Sequence, residues 1–160
     1  MDQNPTSSLE SQISGMGMFV GNFTHNLDPK RRLTIPSVWR AQVGKPESVY
    51  VIPDFHKKCL GVYPAAELAR KLESLRKYSM GDAKARRFAR ALGGNSELLA
   101  WDVQGRIRIK DALLEFAGLT EGVILVGAMD RFELWSPENS AEGAELGVEN
   151  LREVGPDVQF

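Results

Sequence analysis

The chain has 160 residues, 42% hydrophobic and 26% charged, a globular composition that excludes wholesale disorder. Its single cysteine, Cys59, excludes an intramolecular disulfide bond and suits a reducing compartment. The sequence contains neither a signal-peptide pattern nor the roughly 18 uninterrupted apolar residues of a membrane span. We therefore expect a soluble, cytoplasmic protein with no membrane partner.

The net charge of −1 conceals an uneven distribution of charge. Between Met18 and Pro137 there are 19 Lys and Arg against 13 Asp and Glu, which gives +6, and the two ends together carry −7. A basic body is compatible with an anionic partner, although charged runs most often form solvated surface.

In chain order, residues 1–17 are polar and predict a flexible leader. Ordered structure is expected from Met18, where a strand-like run leads to a tight turn at Asp28. Ser37 is the predicted N-cap of a two-turn helix that ends at Gly44. Two β-rich runs follow, at 49–53 and 59–63.

Residues 65–94 predict a helical connector. Leu68, Leu72 and Leu75 recur at helical spacing in its first helix. Asp82 is the predicted cap of a second helix, which is expected to end at Gly93-Gly94. The cations of this second helix fall largely away from its apolar side: Lys84, Arg86, Arg87 and Arg90.

The second half of the chain repeats the first at a constant offset of 74 residues, an internal duplication. The matched pairs are Asp28/Asp102, Arg32/Arg106, Gly44/Gly118 and Val49/Val123. We expect one repeat at 22–64 and another at 95–138, where Asp111 is the predicted cap of the second short helix and Gly118 its end. Residues 139–160 predict an acidic tail, either a frayed helix or disordered.

Each repeat contains a turn of the form Asp-x-x-x-Arg. A short acid at the start of a turn can accept hydrogen bonds from backbone N–H groups two or more residues on, and the following Arg can reach the same carboxylate. We therefore interpret Asp28, Asp102 and Arg106 as structural, with Gly105 supplying a positive φ. Arg31 stands where Gly105 stands in the other repeat, and the same conformation there would cost about 1–2 kcal/mol.

Three consecutive cations, Lys30, Arg31 and Arg32, follow the first acid and have no full copy in the second repeat. Arg can meet phosphate or guanine edges with two hydrogen bonds. These three residues are the candidate DNA contacts, although basic runs of this size are common in other proteins too.

Other chemistry is poorly represented. His56 and Cys59 form an H-x-x-C pair without the second pair that a four-ligand zinc site needs. His25 lies close to the first turn and suits a packing role better than that of a base. Gly93-Gly94 lacks the Lys-Ser/Thr of a phosphate-binding loop. We expect no catalytic residue, no metal and no cofactor, so the protein is not predicted to be an enzyme.

The residues at 18–28 and 32–36 resemble the N-terminus of MraZ, a family of bacterial transcriptional regulators. The residues at 101–107 and 130–137 are similar to later motifs of the same family. The resemblance extends from Met18 to about residue 139, and the family pattern has Gly at the position of Arg31.

The resemblance implies a mainly β fold with flanking helices. In it, two AbrB-like halves form a pseudo-twofold, swapped-hairpin, double-split β barrel. It also implies a ring of several chains, associated with the nucleoid, that binds short direct repeats in promoter DNA upstream of the family's cell-division and cell-wall operon. The family's DNA-contacting basic residues correspond here to Lys30, Arg31 and Arg32.

Two alternatives remain open at this stage. An AbrB-type antitoxin or structural interaction module would use the same halves to bind a protein partner. An enzyme on a related barrel would need a pocket containing an acid or base of shifted pKa.

Overall fold

The computed structural model describes residues 17–79 and 81–159, with the backbone alone for 77–79. The strands are β1 (Asn22–Asn26), β2 (Arg32–Thr34), β3 (Ser48–Pro53), β4 (Leu60–Tyr63), β5 (Glu97–Ala100), β6 (Arg106–Arg108), β7 (Gly122–Gly127) and β8 (Phe132–Trp135). The α-helices are α1 (Ser37–Val43), α2 (Ala65–Ser79), α3 (Ala83–Asn95), α4 (Asp111–Ala117), α5 (Pro137–Gly143) and α6 (Val148–Val154), with a 3-10 turn at Gly155–Asp157. The leader predicted at 1–17 lies outside the described residues except for Gly17.

The strands form two antiparallel sheets. Six strands pair in the order β1-β7-β8-β4-β3-β5, and β2 pairs with β6 in a separate ribbon. The prediction of a mainly β fold with flanking helices is confirmed. The resemblance also implies a closed barrel. The described strands pair into two open sheets, so this closure is not observed.

Strand pairing exchanges elements between the two halves of the chain. β1 of the first half pairs with β7 of the second, and β5 of the second half pairs with β3 of the first. The strand order is therefore symmetric about the β8–β4 pair. Neither half completes its own sheet, so the two halves share one core.

Aromatic rings fill the centre of this core. Phe19, Trp39 and Phe132 are at most 1% exposed, and the Phe19 and Phe132 ring centroids lie 5.3 Å apart. β3 and β7 repeat the same alternation of buried and half-buried residues, as expected for strands covered on one face. The ribbon adds Leu33 and Ile107, both 0% exposed. The residues that carry the ribbon are thus anchored directly in the core.

The helix caps differ from the sequence predictions at two equivalent positions. Ser37 and Asp111 are the first helical residues rather than N-caps, and neither helix has a side-chain cap hydrogen bond. Pro36 and Lys110 hold the cap positions in extended backbone. The capping side chains therefore come one residue too late to reach the N–H groups that a cap would satisfy.

Helix ends were predicted more successfully at three positions. Asp82 caps α3 by accepting hydrogen bonds from the backbone N–H groups of two following residues. Gly44 and Gly118 end α1 and α4 with positive φ, as expected of C-terminal glycines. The predicted end of α3 at Gly93-Gly94 is wrong. The helix runs on to Asn95, where the side-chain amide donates to the Ala91 carbonyl and extends the hydrogen-bonded turn.

Residues beyond β8 form two short helices, where the sequence suggested a frayed helix or disorder. The Ser136 hydroxyl accepts a hydrogen bond from the Asn139 N–H and caps α5. In α6 the side chains of Val148, Leu151 and Val154 are exposed. Within the described ranges, none of the helices combines the length and apolar character needed to cross a membrane.

Candidate nucleic-acid interface

The first turn is organised around the carboxylate of Asp28. Its Oδ1 accepts hydrogen bonds from the backbone N–H groups of Lys30 (2.9 Å) and Arg32 (2.8 Å). Its Oδ2 accepts one from Nε of Arg32 at 2.6 Å. The backbone closes the turn, because the Asp28 N–H donates to the Arg32 carbonyl and the Arg31 N–H to the Asp28 carbonyl. One short acid thus orients the whole cationic segment.

The second turn reproduces this arrangement around Asp102. Its Oδ1 accepts from the N–H groups of Gln104 and Arg106, each at 2.9 Å, and its Oδ2 accepts from Nε of Arg106 at 2.9 Å. The matching distances show that the duplicated sequence folds into duplicated geometry. Residues common to both copies make the turn, and residues found in one copy alone are available for another task.

Hydrogen bonding lowers the pKa of both aspartates. The largest effect on Asp28 is the hydrogen bond from the Arg32 backbone, and the largest on Asp102 is the equivalent bond from Arg106. Partial burial opposes the shift, and the Arg side chains reinforce it. A carboxylate that accepts several N–H bonds favours its charged form. Neither aspartate is therefore suited to act as a proton donor near neutral pH.

The two turns lie against each other across the ribbon. The Ile35 N–H donates to the Gly105 carbonyl at 2.9 Å, and the Ile109 N–H donates to the Arg31 carbonyl at 3.2 Å. A terminal nitrogen of Arg106 lies 3.9 Å from Oδ2 of Asp28. The structure therefore brings Asp28, Arg32, Asp102 and Arg106 into one network of alternating charge.

The third residue after each aspartate distinguishes the copies. Arg31 has φ 63° and Gly105 has φ 79°, so both adopt the left-handed conformation. At Gly105 a Cβ atom would lie 2.5 Å from Cζ of Arg40, whose Nε donates to the Ile35 carbonyl. The left-handed conformation at 105 favours glycine, and a Cβ there would also displace the Arg40 guanidinium. At 31 an arginine occupies the same strained backbone.

The three candidate contact residues differ in how far the protein already engages them. The Lys30 side chain is exposed and has no partner within 17–79 and 81–159. Arg31 is half-exposed, with Nε 3.7 Å from Asp111 and a terminal nitrogen 3.4 Å from the Thr120 carbonyl. Arg32 uses its Nε on Asp28 and is 29% exposed. Lys30 and Arg31 are thus the more accessible pair, and Arg32 is the most firmly oriented.

Sequence reasoning overlooked two further arginines near the turns. Arg40 packs over Gly105, and its counterpart at the offset of 74 is Leu114, a difference that the duplication itself would have revealed. Arg108 lies opposite Arg32 in the ribbon. Its place on the outer face follows from the alternation of charged and apolar residues from Arg106 to Lys110.

A metal site has little support among the described residues. Asp54, Cys59 and Glu133 bring ligand-type atoms within 4.8 Å of one another, and His56 of the H-x-x-C pair is not among them. The carboxylate of Glu133 already accepts from Arg131 and from the Trp135 indole. Burial raises the pKa of Cys59 to about 12, which disfavours the thiolate that a metal needs.

His25 lies in β1, opposite Val123, and its ring is 6.5 Å from that of Phe23. The described contacts thus give this histidine a packing environment.

Comparison with known proteins identifies relatives along most of the chain. Residues 18–91 and 93–140 match the family model described as "MraZ protein, putative antitoxin-like". A protein of Leuconostoc mesenteroides named "Transcriptional regulator MraZ" is 37% identical over 129 residues, which cover 80% of this chain and 88% of that protein. One of the same name from Thermomicrobium roseum is 38% identical over 144 residues, or 88% of this chain and 94% of that protein.

Proposed function

The chain belongs to the MraZ family, and we propose that it is a DNA-binding transcriptional regulator. Its target is promoter DNA, in the form of short direct repeats upstream of its own cell-division and cell-wall operon. The observation that carries the proposal is the structure of the first turn. Its three cations have no full counterpart in the second turn, and a hydrogen-bonded frame holds their backbone in place.

The frame and the contact residues have separate tasks in this proposal. Asp28, Asp102, Arg106 and Gly105 set the geometry of the paired turns. Lys30, Arg31 and Arg32 meet the DNA. Arg32 is held by Asp28 through Nε, and its terminal nitrogens have no partner in the part of the chain that the structure describes. An arginine fixed in this way loses little side-chain freedom when it binds a phosphate or a guanine edge.

A ring of identical chains would compensate for the small size of one turn. Two or three phosphate contacts bind DNA weakly at physiological salt. Several turns on one rigid assembly, spaced to match repeats in the DNA, gain affinity through effective concentration without new contacts. We propose that each chain contributes AbrB-like repeats at 22–64 and 95–138, joined by the connector at 65–94, and that the ring acts at the nucleoid in the cytoplasm.

The enzyme alternative finds little support in the shape of the surface. An apolar groove of about 380 Å³ is lined by side chains that include Phe55, Phe88 and Phe116. The acids with shifted pKa values lie elsewhere: Asp28, Asp102 and Glu67. A candidate active site combines a cavity with a titratable group of shifted pKa, and these three acids do not line this groove.

The antitoxin alternative keeps the fold and changes the partner. It is favoured by the words "antitoxin-like" in the family description. Exposed cations on the first turn suit the phosphates of DNA, although an acidic protein surface could also bind them. Binding to DNA from upstream of the protein's own gene separates the two functions.

The proposal is tested by a gel-shift titration of that DNA at two salt concentrations with Lys30→Ala/Arg32→Ala. We expect at least a tenfold loss of affinity and a salt slope lower by roughly 0.9 for each phosphate contact removed. The matched control is Lys84→Ala/Arg90→Ala, which removes two exposed cations from α3 and should bind as the wild type does.

Native mass spectrometry should show that the double variant assembles into the same number of subunits as the wild type, because neither substitution removes core surface. A folded double variant that shifts the DNA with unchanged affinity would contradict the assignment of the turn. A wild-type protein that binds no upstream DNA would contradict the function itself.

A further inference from the structure

The ribbon has one face in the core and one face towards solvent. Leu33 pairs with Ile107, and both are 0% exposed. The flanking pairs, Arg32 with Arg108 and Thr34 with Arg106, lie on the opposite face because side chains alternate along a strand. Three arginines therefore share the outer face of a ribbon only three residues long.

Arg32 and Arg106 are each held by an aspartate, and Arg108 is not. The Arg108 guanidinium is exposed, and no residue in the two described stretches pairs with it. The same holds for the ammonium of Lys110, which is the next outward position along the chain. The backbone of Lys110 is fixed, because its N–H donates to Oε1 of Glu97 at 2.9 Å.

Within the two turns and the ribbon, the unduplicated cations all lie at one end. At the offset of 74, the cations of 28–36 and 102–110 that lack a cationic counterpart are Lys30 (Gln104), Arg31 (Gly105), Arg108 (Thr34) and Lys110 (Pro36). β6 ends beside the place where the first turn enters β2, as the Arg32–Arg108 pair and the Ile109–Arg31 hydrogen bond show. Cations from both repeats therefore lie next to the first turn.

This concentration of charge has an electrostatic cost in the free protein. Like charges directly opposite each other in an antiparallel pair are destabilising, and Asp28 is the only aspartate that bonds Arg32 among the described residues. A phosphodiester placed over the pair would relieve the repulsion and provide acceptors for both guanidinium groups.

We propose that Arg108 and Lys110 are phosphate contacts, so that each DNA-binding surface is built jointly by the first turn and by β6 of the second repeat. This inference rests on the proposed DNA-binding function. It assigns the second repeat a direct part in binding DNA, in addition to completing the fold.

The test is the salt dependence of binding for Arg108→Thr and Lys110→Gln, separately and together. Thr is the residue found at the equivalent position 34, and it suits a strand. For each subunit on the DNA, loss of one phosphate contact should lower the salt slope by roughly 0.9 and the association constant roughly eightfold at about 0.1 M salt. Upstream DNA and unrelated DNA of equal length should lose affinity equally, since phosphates carry no sequence.

Two controls accompany these variants. Arg108→Lys keeps the charge and should retain most of the salt slope, and Arg86→Thr removes an exposed cation from α3 and should change nothing. If the wild type binds DNA and Arg108→Thr/Lys110→Gln binds with the same affinity and slope, this inference is wrong and the proposed function stands. A weaker complex with an unchanged slope also overturns it, because that result indicates altered packing. Absence of wild-type binding overturns the proposed function, and this inference with it.

Discussion

Arg31 occupies a backbone conformation that glycine holds in the duplicate turn. Its φ of 63° lies in the left-handed region, which costs a residue with a Cβ atom about 1–2 kcal/mol. The contacts of its side chain within the chain are long and exposed, with 3.7 Å to Asp111 and 3.4 Å to the Thr120 carbonyl. Exposed pairs of this kind contribute at most about 1 kcal/mol. The balance favours a residue kept for binding at some cost in stability.

Arg31→Gly should therefore stabilise the protein and weaken its DNA complex. Relief of backbone strain minus the loss of weak surface contacts leaves about 1 kcal/mol, or a rise in Tm of about 2–4 °C for a chain of this length. Thermal melts and gel shifts on the same preparation measure both effects.

A substitution of the equivalent glycine in the second turn provides the control. Gly105→Ala should destabilise by more than about 1 kcal/mol, because it combines positive φ with a Cβ 2.5 Å from Arg40. An Arg31→Gly protein with higher Tm and unaltered DNA affinity would show that Arg31 does not contact the DNA.

The turn aspartates link stability to acidity. Folding lowers the pKa of Asp28 and Asp102 below the ordinary value of 3.8. The unfolded chain therefore takes up protons first as the pH falls, so this stabilisation is complete above the ordinary value and is lost as the pH falls through the folded pKa. Asp28→Asn/Asp102→Asn should melt below the wild type at neutral pH.

The difference in Tm between this double variant and the wild type should shrink as the pH falls below about 4, where the wild-type carboxylates also lose their charge. Asp157→Asn, in the exposed 3-10 turn after α6, is a suitable control with no expected effect. A constant difference in Tm down to about pH 2.5 would show that the aspartates stabilise the turns by packing alone.

At the level of elements, the features that the sequence predicted correctly depend on residues that are close together in the chain. The repeated Asp-x-x-x-Arg pattern predicted two turns of the same kind, because each carboxylate bonds N–H groups two and four residues away. Glycines at 44 and 118 predicted helix ends because the residue after a helix often has a positive φ, which glycine adopts readily. The two caps failed because Pro36 and Lys110, each one residue earlier, already hold the extended cap backbone, which composition alone does not show.

Long-range features were accessible only in part. The exchange of strands between halves came from the family resemblance, since no local pattern specifies that β1 pairs with β7. The place of Arg108 could have been read from period-two alternation, whereas the packing of Arg40 over Gly105 joins residues 65 positions apart. Sequence periodicity indicates which face a side chain occupies, and the fold decides which residue it meets.

For the whole molecule, strand exchange makes folding a joint property of both repeats. β1 has its partner in the second half and β5 has its partner in the first. A chain divided at Gly81, between α2 and α3, leaves each fragment with unpaired edges and half a core. Neither fragment should fold as a monomer, and mixing them should restore the far-UV circular dichroism of the intact protein.

Each fragment should also pair with the other fragment in preference to a second copy of itself. In a self-paired first half, Arg31 would take the place of Gly105 against the Arg40 guanidinium. Its Cβ would displace that guanidinium, and two like charges would lie side by side. In a self-paired second half, Gly105 would face Leu114 without the arginine that fills that space. Native mass spectrometry of the mixture should therefore show mainly the 1:1 species. Arg40→Leu in the first fragment, which restores the residue of the second repeat, should permit more self-pairing. A statistical mixture of the three dimers, unchanged by Arg40→Leu, would contradict this account of how the halves are matched.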